Sequence, residues 1–343
     1  MRQRCFSFTV LLAAAMFILS SSLVSPAQEA PLLSGGVGFL TNTTGGQTAY
    51  IPAAQPVAAV PLGQHLLVES RGSLFEFFSP SPQGYQHSHF IGLAYLQGDV
   101  LASRHLTIVG GNYLMPFGTY NERLTPIWIG NLQDEPLMEN LGLAGGGTGL
   151  GGQLRGSLVS HPHYSFDYAA WFSGRSAYSQ FHADRSAGFR GSFYFPEQRL
   201  EVGVSYDRLL QGVHENFLGT HLWWQTKDAG LRFRSELARG QHAYGYWFEV
   251  DSRPFAKGNL DSFAGRFEPV FRMQQTFRID NLASDGLPGV NTQRVDFGFD
   301  YNLPHNTRIL TSYSRQFAAT GNVNIWETGI VYRFLFPAWK GRL

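Results

Sequence analysis

Fifteen charged side chains carry most of the chemistry this sequence can offer. Arg155, Arg190, Arg199, Arg232, Arg234, Arg266, Arg272, Arg294 and Arg308 fall in short segments where apolar and polar residues alternate. Glu201, Glu236, Glu249, Glu268, Asp296 and Asp300 do the same. Alternate residues of a strand share one face, so these groups gather on a polar face opposite an apolar one. Such a face lines a water-filled space and sets the field felt by passing solutes. The plainer alternative is that opposite charges pair across strands and only solvate the wall. Basic residues outnumber acids nine to six in this set, which points to a weak preference for anions.

Other chemistry is poorly supported. His87-Ser88-His89 and His161-Pro162-His163 each place two imidazoles two residues apart. Neither pair has a third ligand nearby in sequence, and structural metal sites use four. No metal and no cofactor are therefore expected. A Gly-x-Ser-x-Gly elbow is absent, and Gly145-Gly146-Gly147 lacks the Gly-Lys-Ser/Thr of a phosphate loop. The chain is not expected to be an enzyme; a hydrolase active at a membrane rim is the weakest of three readings.

The elements that must position these charges are strands. Leu200, Val202, Val204 and Tyr206 alternate with Arg199, Glu201, Gly203, Ser205 and Asp207. Val295, Phe297, Phe299 and Tyr301 alternate with Arg294, Asp296, Gly298 and Asp300. The last segment sets Trp326, Thr328, Ile330, Tyr332, Phe334 and Phe336 against Glu327, Gly329 and Arg333. The apolar face ends repeatedly in aromatics (Tyr206, Trp224, Tyr244, Tyr301, Tyr332, Phe336), as the girdles of a membrane barrel do. Lysine, which a solvated outer face would use freely, is limited to Lys227, Lys257 and Lys340. The pattern predicts an all-β transmembrane antiparallel barrel of about 14 strands, with 12 to 16 open.

Composition agrees. Only 15% of residues are charged, against roughly 25% in soluble proteins. The 26 basic residues nearly balance the 25 acidic ones, so no nucleic-acid partner is expected. A mean hydropathy of −0.14 excludes a polytopic helical membrane protein.

Arg2 and Arg4 precede the apolar run Val10–Leu19 and then Ser25-Pro26-Ala27, the pattern of a secretory signal peptide over residues 1–27. Its removal takes Arg2 and Arg4, leaving 24 basic residues against 25 acidic and a net charge of −1. It also removes Cys5, the single cysteine. Residues 28–63, rich in Ala, Pro and Gly and without sustained period, read as an extended leader. The barrel is then residues 64–343.

With both barrel ends periplasmic, the inner turns are Ala102-Ser103, Ser160-His161-Pro162, Pro196-Glu197 and Lys227-Asp228. The outer loops are 118–147, 173–185 and 208–213, and all are longer. The rule slips at 239 and at 252–264, which suggests a misplaced strand boundary. The stretch 118–147 is the longest loop, and loops of this length are usually functional or disordered. Pro116, Phe117, Gly118, Glu122, Arg123 and Trp128 make it a candidate constriction folded into the lumen, with an extracellular cap as the alternative.

A strand that ends on Gly111, Pro116, Phe117 and Gly118 before a long loop resembles the phosphate-selective (O/P-type) porin family. Glu268-Pro269-Val270-Phe271-Arg272 is similar to a strand of the same family. The resemblance implies a 16-stranded, often trimeric anion channel. The family's phosphate-binding Arg and Lys positions have no match here, and lysine is scarce. Tyr332-x-Phe334-x-Phe336 resembles the signal read by the barrel-assembly machinery, although seven residues follow it.

The expectation is thus a porin-like channel in the outer membrane of a Gram-negative-type bacterium. It would sit in outer-membrane lipid and pass small polar or anionic solutes by diffusion, with homotrimers implied by the resemblance. A closed or plugged barrel with a structural or binding role is the second reading.

Overall fold

The computed structural model describes residues 31–143, 147–178, 180–212, 214–227, 230–255, 262–280 and 285–337. The signal peptide expected over 1–27 and the residues after Pro337 lie outside this range.

Sixteen antiparallel strands form one closed barrel. The first half comprises β1 (Leu32–Thr44), β2 (Gln47–Leu62), β3 (Leu66–Ser81), β4 (Gly84–Ser103), β5 (Leu106–Leu114), β6 (Thr148–His161), β7 (Tyr164–Gly174) and β8 (Ser186–Phe195). The second comprises β9 (Leu200–Leu209), β10 (Asn216–Gln225), β11 (Leu231–Arg239), β12 (Ala243–Ser252), β13 (Phe267–Arg278), β14 (Thr292–Leu303), β15 (Thr307–Ala318) and β16 (Val323–Pro337). Each strand pairs with its sequence neighbours, and β1 closes on β16 in register from Leu32↔Pro337 to Thr44↔Ile325. Closure leaves no free edge, which is what a sheet surrounded by hydrocarbon requires.

The strand number corrects the expected 14. All fourteen expected strands form, and the two extra ones are β1 and β2, inside the stretch read as a leader. The barrel therefore starts at Leu32 rather than at residue 64. Alanine hid the alternation of β2, because it contrasts little with polar neighbours. Proline argued against a strand, because it cannot donate to a ladder. The structure shows the accommodation: β2 pairs continuously with β1, but the β2–β3 ladder skips Ile51-Pro52 and Gln55-Pro56. Gly45 and Gly46, at φ of 60° and 79°, form the two-residue turn between β1 and β2, the conformation that favours Gly-Gly in hairpins.

Two additional leading strands change no parity, so every later turn keeps its expected end of the barrel. The irregularity also persists. A short turn joins β11 to β12, and a long connection containing a 3-10 turn (Ala264–Arg266) joins β12 to β13. These strand boundaries stand, and the long connection lies at the barrel end where β1 begins and β16 finishes.

The two faces differ as the alternation requires. Outward side chains such as Val204, Leu218, Phe297 and Ile330 are exposed, whereas Asp207, Asp296 and Asp300 are fully buried inside. Aromatic pairs reinforce the outer surface across strands, including Trp224–Phe233 at 5.3 Å, Tyr244–Phe277 at 4.6 Å and Tyr313–Trp326 at 4.8 Å. Such pairs add about 0.5–1.5 kcal/mol each beyond area burial. No described helix is long and apolar enough to cross a membrane.

Candidate functional site

The connection between β5 and β6 turns inward and occupies part of the lumen. Its neck is closed by hydrogen bonds from Met115 N to Gly147 O (2.9 Å) and from Asn121 Nδ2 to the carbonyls of Met115 (3.0 Å) and Gly147 (2.7 Å). Met115, Phe117, Tyr120, Leu124, Met138, Leu141 and Leu143 then pack against Tyr113, Trp171 and Trp247 of the wall. This apolar core inside the barrel is what the loop's high aromatic and aliphatic content is for.

Polar groups fasten the rest. Glu236 of β11 accepts hydrogen bonds from Thr119 N (2.5 Å), Thr119 Oγ1 (2.7 Å) and Tyr120 N (2.9 Å). It thereby caps α1 (Tyr120–Arg123), whose first amide groups have no partner within the helix. Gly118, at φ 64°, makes this approach possible; a Cβ there would lie 2.6 Å from Glu236 Oε2. Arg190 donates to Gly118 O (2.8 Å) and pairs with Glu122 (2.6 Å). Arg123 grips both oxygens of Glu201 (2.7 and 3.0 Å). Further along, Arg272 donates to Asp134 O (2.7 Å), Gln274 accepts from Leu137 N (2.7 Å), and Arg294 pairs with Asp134 (2.7 Å). Trp128 seats its ring against Gly36, beside Leu40, Leu310 and Val331.

All six candidate loop residues thus lie within the inward segment. Phe117 is an anchor in the apolar core, and Glu122 and Arg123 are consumed in ion pairs.

Among the described residues, carboxylate partners are seen for seven of the nine candidate arginines. Arg155 pairs with Asp99, Arg190 with Glu122, Arg232 with Asp251 and Glu268, and Arg234 with Glu249 and Asp251. Arg272 and Arg294 share Asp296 at 3.2 and 2.6 Å, and Arg308 pairs with Asp300 at 3.2 Å. Arg199 and Arg266 depart from the expectation. Arg199 sits in the β8–β9 turn at φ 52°, exposed, and Arg266 ends the 3-10 turn before β13. Alternation was extended one residue past the strand end at both places, where the chain already turns.

A cavity of about 1170 Å³ lies open between the loop and the wall of β1–β4, β15 and β16. None of the fifteen candidate wall charges lines it. Its polar lining includes Asn42, Gln55, Arg71, Asp134, Glu135 and Glu327. Glu327 accepts from Asn42 Nδ2 (3.0 Å) and Ser312 Oγ (3.3 Å). Sequence reasoning missed Arg71 and Gln55 as site residues. Gln55 lay in the supposed leader, and Arg71 shares its face with Phe75 and Phe77, which breaks the polar pattern.

The histidine pairs go elsewhere. His87 bonds Glu76 and stacks on Phe78 at 4.9 Å, and His163 bonds Glu197 at 2.7 Å. Among the described residues, no three His, Cys, Asp or Glu are grouped to hold a metal.

No known family matches the sequence, and no curated protein matches it. Solved structures do match in fold. OmpF of Salmonella typhi, in complex with daunomycin, superposes with a TM-score of 0.60 at 13% identity, over 91% of this chain and 99% of that one. A loop-deletion mutant of OmpT, an outer membrane protein of Vibrio cholerae, gives 0.59 at 9% identity over 89% and 100%. An anion-selective porin from Comamonas acidovorans gives 0.54 at 10% identity over 90% and 99%. The fold is that of the porins.

Proposed function

We propose that this chain is an outer-membrane channel of a Gram-negative-type bacterium that passes small polar solutes by passive diffusion, without covalent chemistry. The observation that carries this reading is the inward loop, which narrows a closed barrel but leaves a cavity of about 1170 Å³ beside it. Export by a signal peptide over 1–27, insertion by the barrel-assembly machinery through the aromatic end of β16, and assembly as a homotrimer in outer-membrane lipid belong to the same proposal. Phosphate selectivity does not: one arginine and no lysine line the cavity among the described residues.

The weak anion preference suggested by the basic excess loses its carrier, because seven of those arginines are paired. The cavity instead offers Arg71 against Glu135 and Glu327, none of which forms an ion pair within 4 Å among the described residues. Weak cation preference follows at a pH that ionises both carboxyls. In planar bilayers we expect steady openings, with a reversal potential in a KCl gradient of the cation-preferring sign. Removal of the Glu135 carboxylate from water inside the barrel, with Asp134 beside it, holds its carboxyl above the ordinary glutamate value. Cation preference should therefore fade as pH falls, beginning above the ~4.3 typical of a free glutamate. Electrical silence would instead favour the plugged barrel, and an anion-preferring reversal potential would overturn the selectivity.

A further inference from the structure

Arg71 differs from the seven paired arginines of the wall. It is 5% exposed, yet no carboxylate lies within ion-pair distance of it among the described residues. One Nη donates to Thr125 Oγ1 at 3.1 Å, and the guanidinium lies 5.5 Å from the Tyr95 ring centroid. Its Nε, itself buried, has no acceptor among the described residues, and the side chain lines the cavity. A buried donor left unmatched costs about as much as a lost hydrogen bond, so this arginine has capacity for an acceptor from within the cavity. Glu135 lies within its electrostatic reach from the loop.

Above Arg71, towards the β3–β4 turn, the inner face is apolar where a water-filled wall would be polar. Phe75 and Phe77 stack on that face at 6.1 Å, Phe90 stands opposite Phe75 in the β3–β4 register, and all three line the cavity. The Phe90 ring folds over Gly92, where a Cβ would lie 2.9 Å from it.

We propose that this face is a binding site for aromatic carboxylates, with the ring against Phe75, Phe77 and Phe90 and the carboxylate on Arg71. The site rests on the channel reading for its access, and it selects one amphipathic solute class within a lumen that otherwise favours cations. An aromatic ring gains from the phenylalanines, and a carboxylate gains a charge-assisted contact with the guanidinium. A small hydrophilic anion such as acetate gains only the second contact.

Benzoate and acetate are the probes, titrated against the purified barrel by calorimetry in detergent and by block of current in planar bilayers. Benzoate is expected to bind and block at concentrations where acetate does neither. Arg71→Gln should weaken benzoate about tenfold or more, the worth of a charge-assisted hydrogen bond. The Phe75→Leu/Phe77→Leu pair should weaken it severalfold. Glu135→Gln should strengthen it by removing a repelling charge, a gain that a misfolded barrel cannot produce. Equal behaviour of benzoate and acetate, or affinity unchanged in Arg71→Gln, would overturn the proposal. Calorimetry needs no conduction, so binding without current would refute the channel and leave the site standing, and current without binding would do the reverse.

Discussion

Glu236→Ala frees the Thr119-Tyr120 segment of the constriction loop from β11 and raises conductance. Glu236 is 7% exposed and accepts two backbone amides and one hydroxyl of the loop through a single carboxylate oxygen. Truncation leaves the Thr119 and Tyr120 amides without their acceptor, and each buried donor so stranded costs about 1–3 kcal/mol. The attachment of the loop therefore weakens by on the order of 2–6 kcal/mol, enough to release that segment from β11. Single-channel recordings should show larger and noisier openings. Glu236→Gln, whose amide oxygen still accepts, should lie close to the unaltered protein. Unchanged conductance in Glu236→Ala would mean that the loop is not held there.

Arg272→Leu carries the largest expected loss of stability. This guanidinium is 1% exposed and joins three groups: Asp296 at 3.2 Å, Glu249 at 3.8 Å and the Asp134 carbonyl at 2.7 Å. Its removal strands carboxylate charge on Glu249 and Asp296, both buried. Removing one partner of a buried pair typically costs about 3–5 kcal/mol. The neighbouring Arg234 and Arg294 still serve those acids, which places the effect at the lower end. Urea unfolding in detergent reads it as a lower midpoint. A midpoint unmoved by Arg272→Leu would show that the network does not need this cation.

Both predictions concern contacts that no reading of the sequence contained, although much of the frame was legible. The segment 186–195 coincides with β8, because phenylalanine alternates with arginine and serine without interruption. The aromatic outer face was equally plain in β14 and β16. β1 and β2 were missed because alanine and glycine blur a two-residue period and proline opposes a strand, even though Gly45-Gly46 marked the turn between them. For the site, alternation assigned most charges to the inner face but said nothing of their partners. Partners depend on register between strands and on the path of the loop. Asp251, for instance, meets Arg232 directly across the β11–β12 ladder, and Asp134 reaches Arg294 only because the loop turns inward. The length of the 118–147 stretch marked it as functional, but its side of the membrane depended on contacts with the wall. Arg71 was overlooked because it lies beside a β-bulge at Arg71/Gly72 and below phenylalanines on the same face.

The central claim is that solutes pass between the loop and the β1–β4 wall, while the opposite wall is sealed by ion pairs and the apolar core. Cys5 is the only cysteine in the sequence and lies within the signal peptide proposed over 1–27, so once that segment is cleaved an introduced thiol in the barrel reports alone. The direct test is current through Glu135→Cys and Gln274→Cys channels before and after a thiol-specific methanethiosulfonate reagent. Glu135 lines the cavity, whereas Gln274 is fully buried behind the loop. We expect the reagent to cut the current through Glu135→Cys and to leave Gln274→Cys unchanged. Block of Gln274→Cys with none in Glu135→Cys would place the path on the other side of the loop and contradict the account.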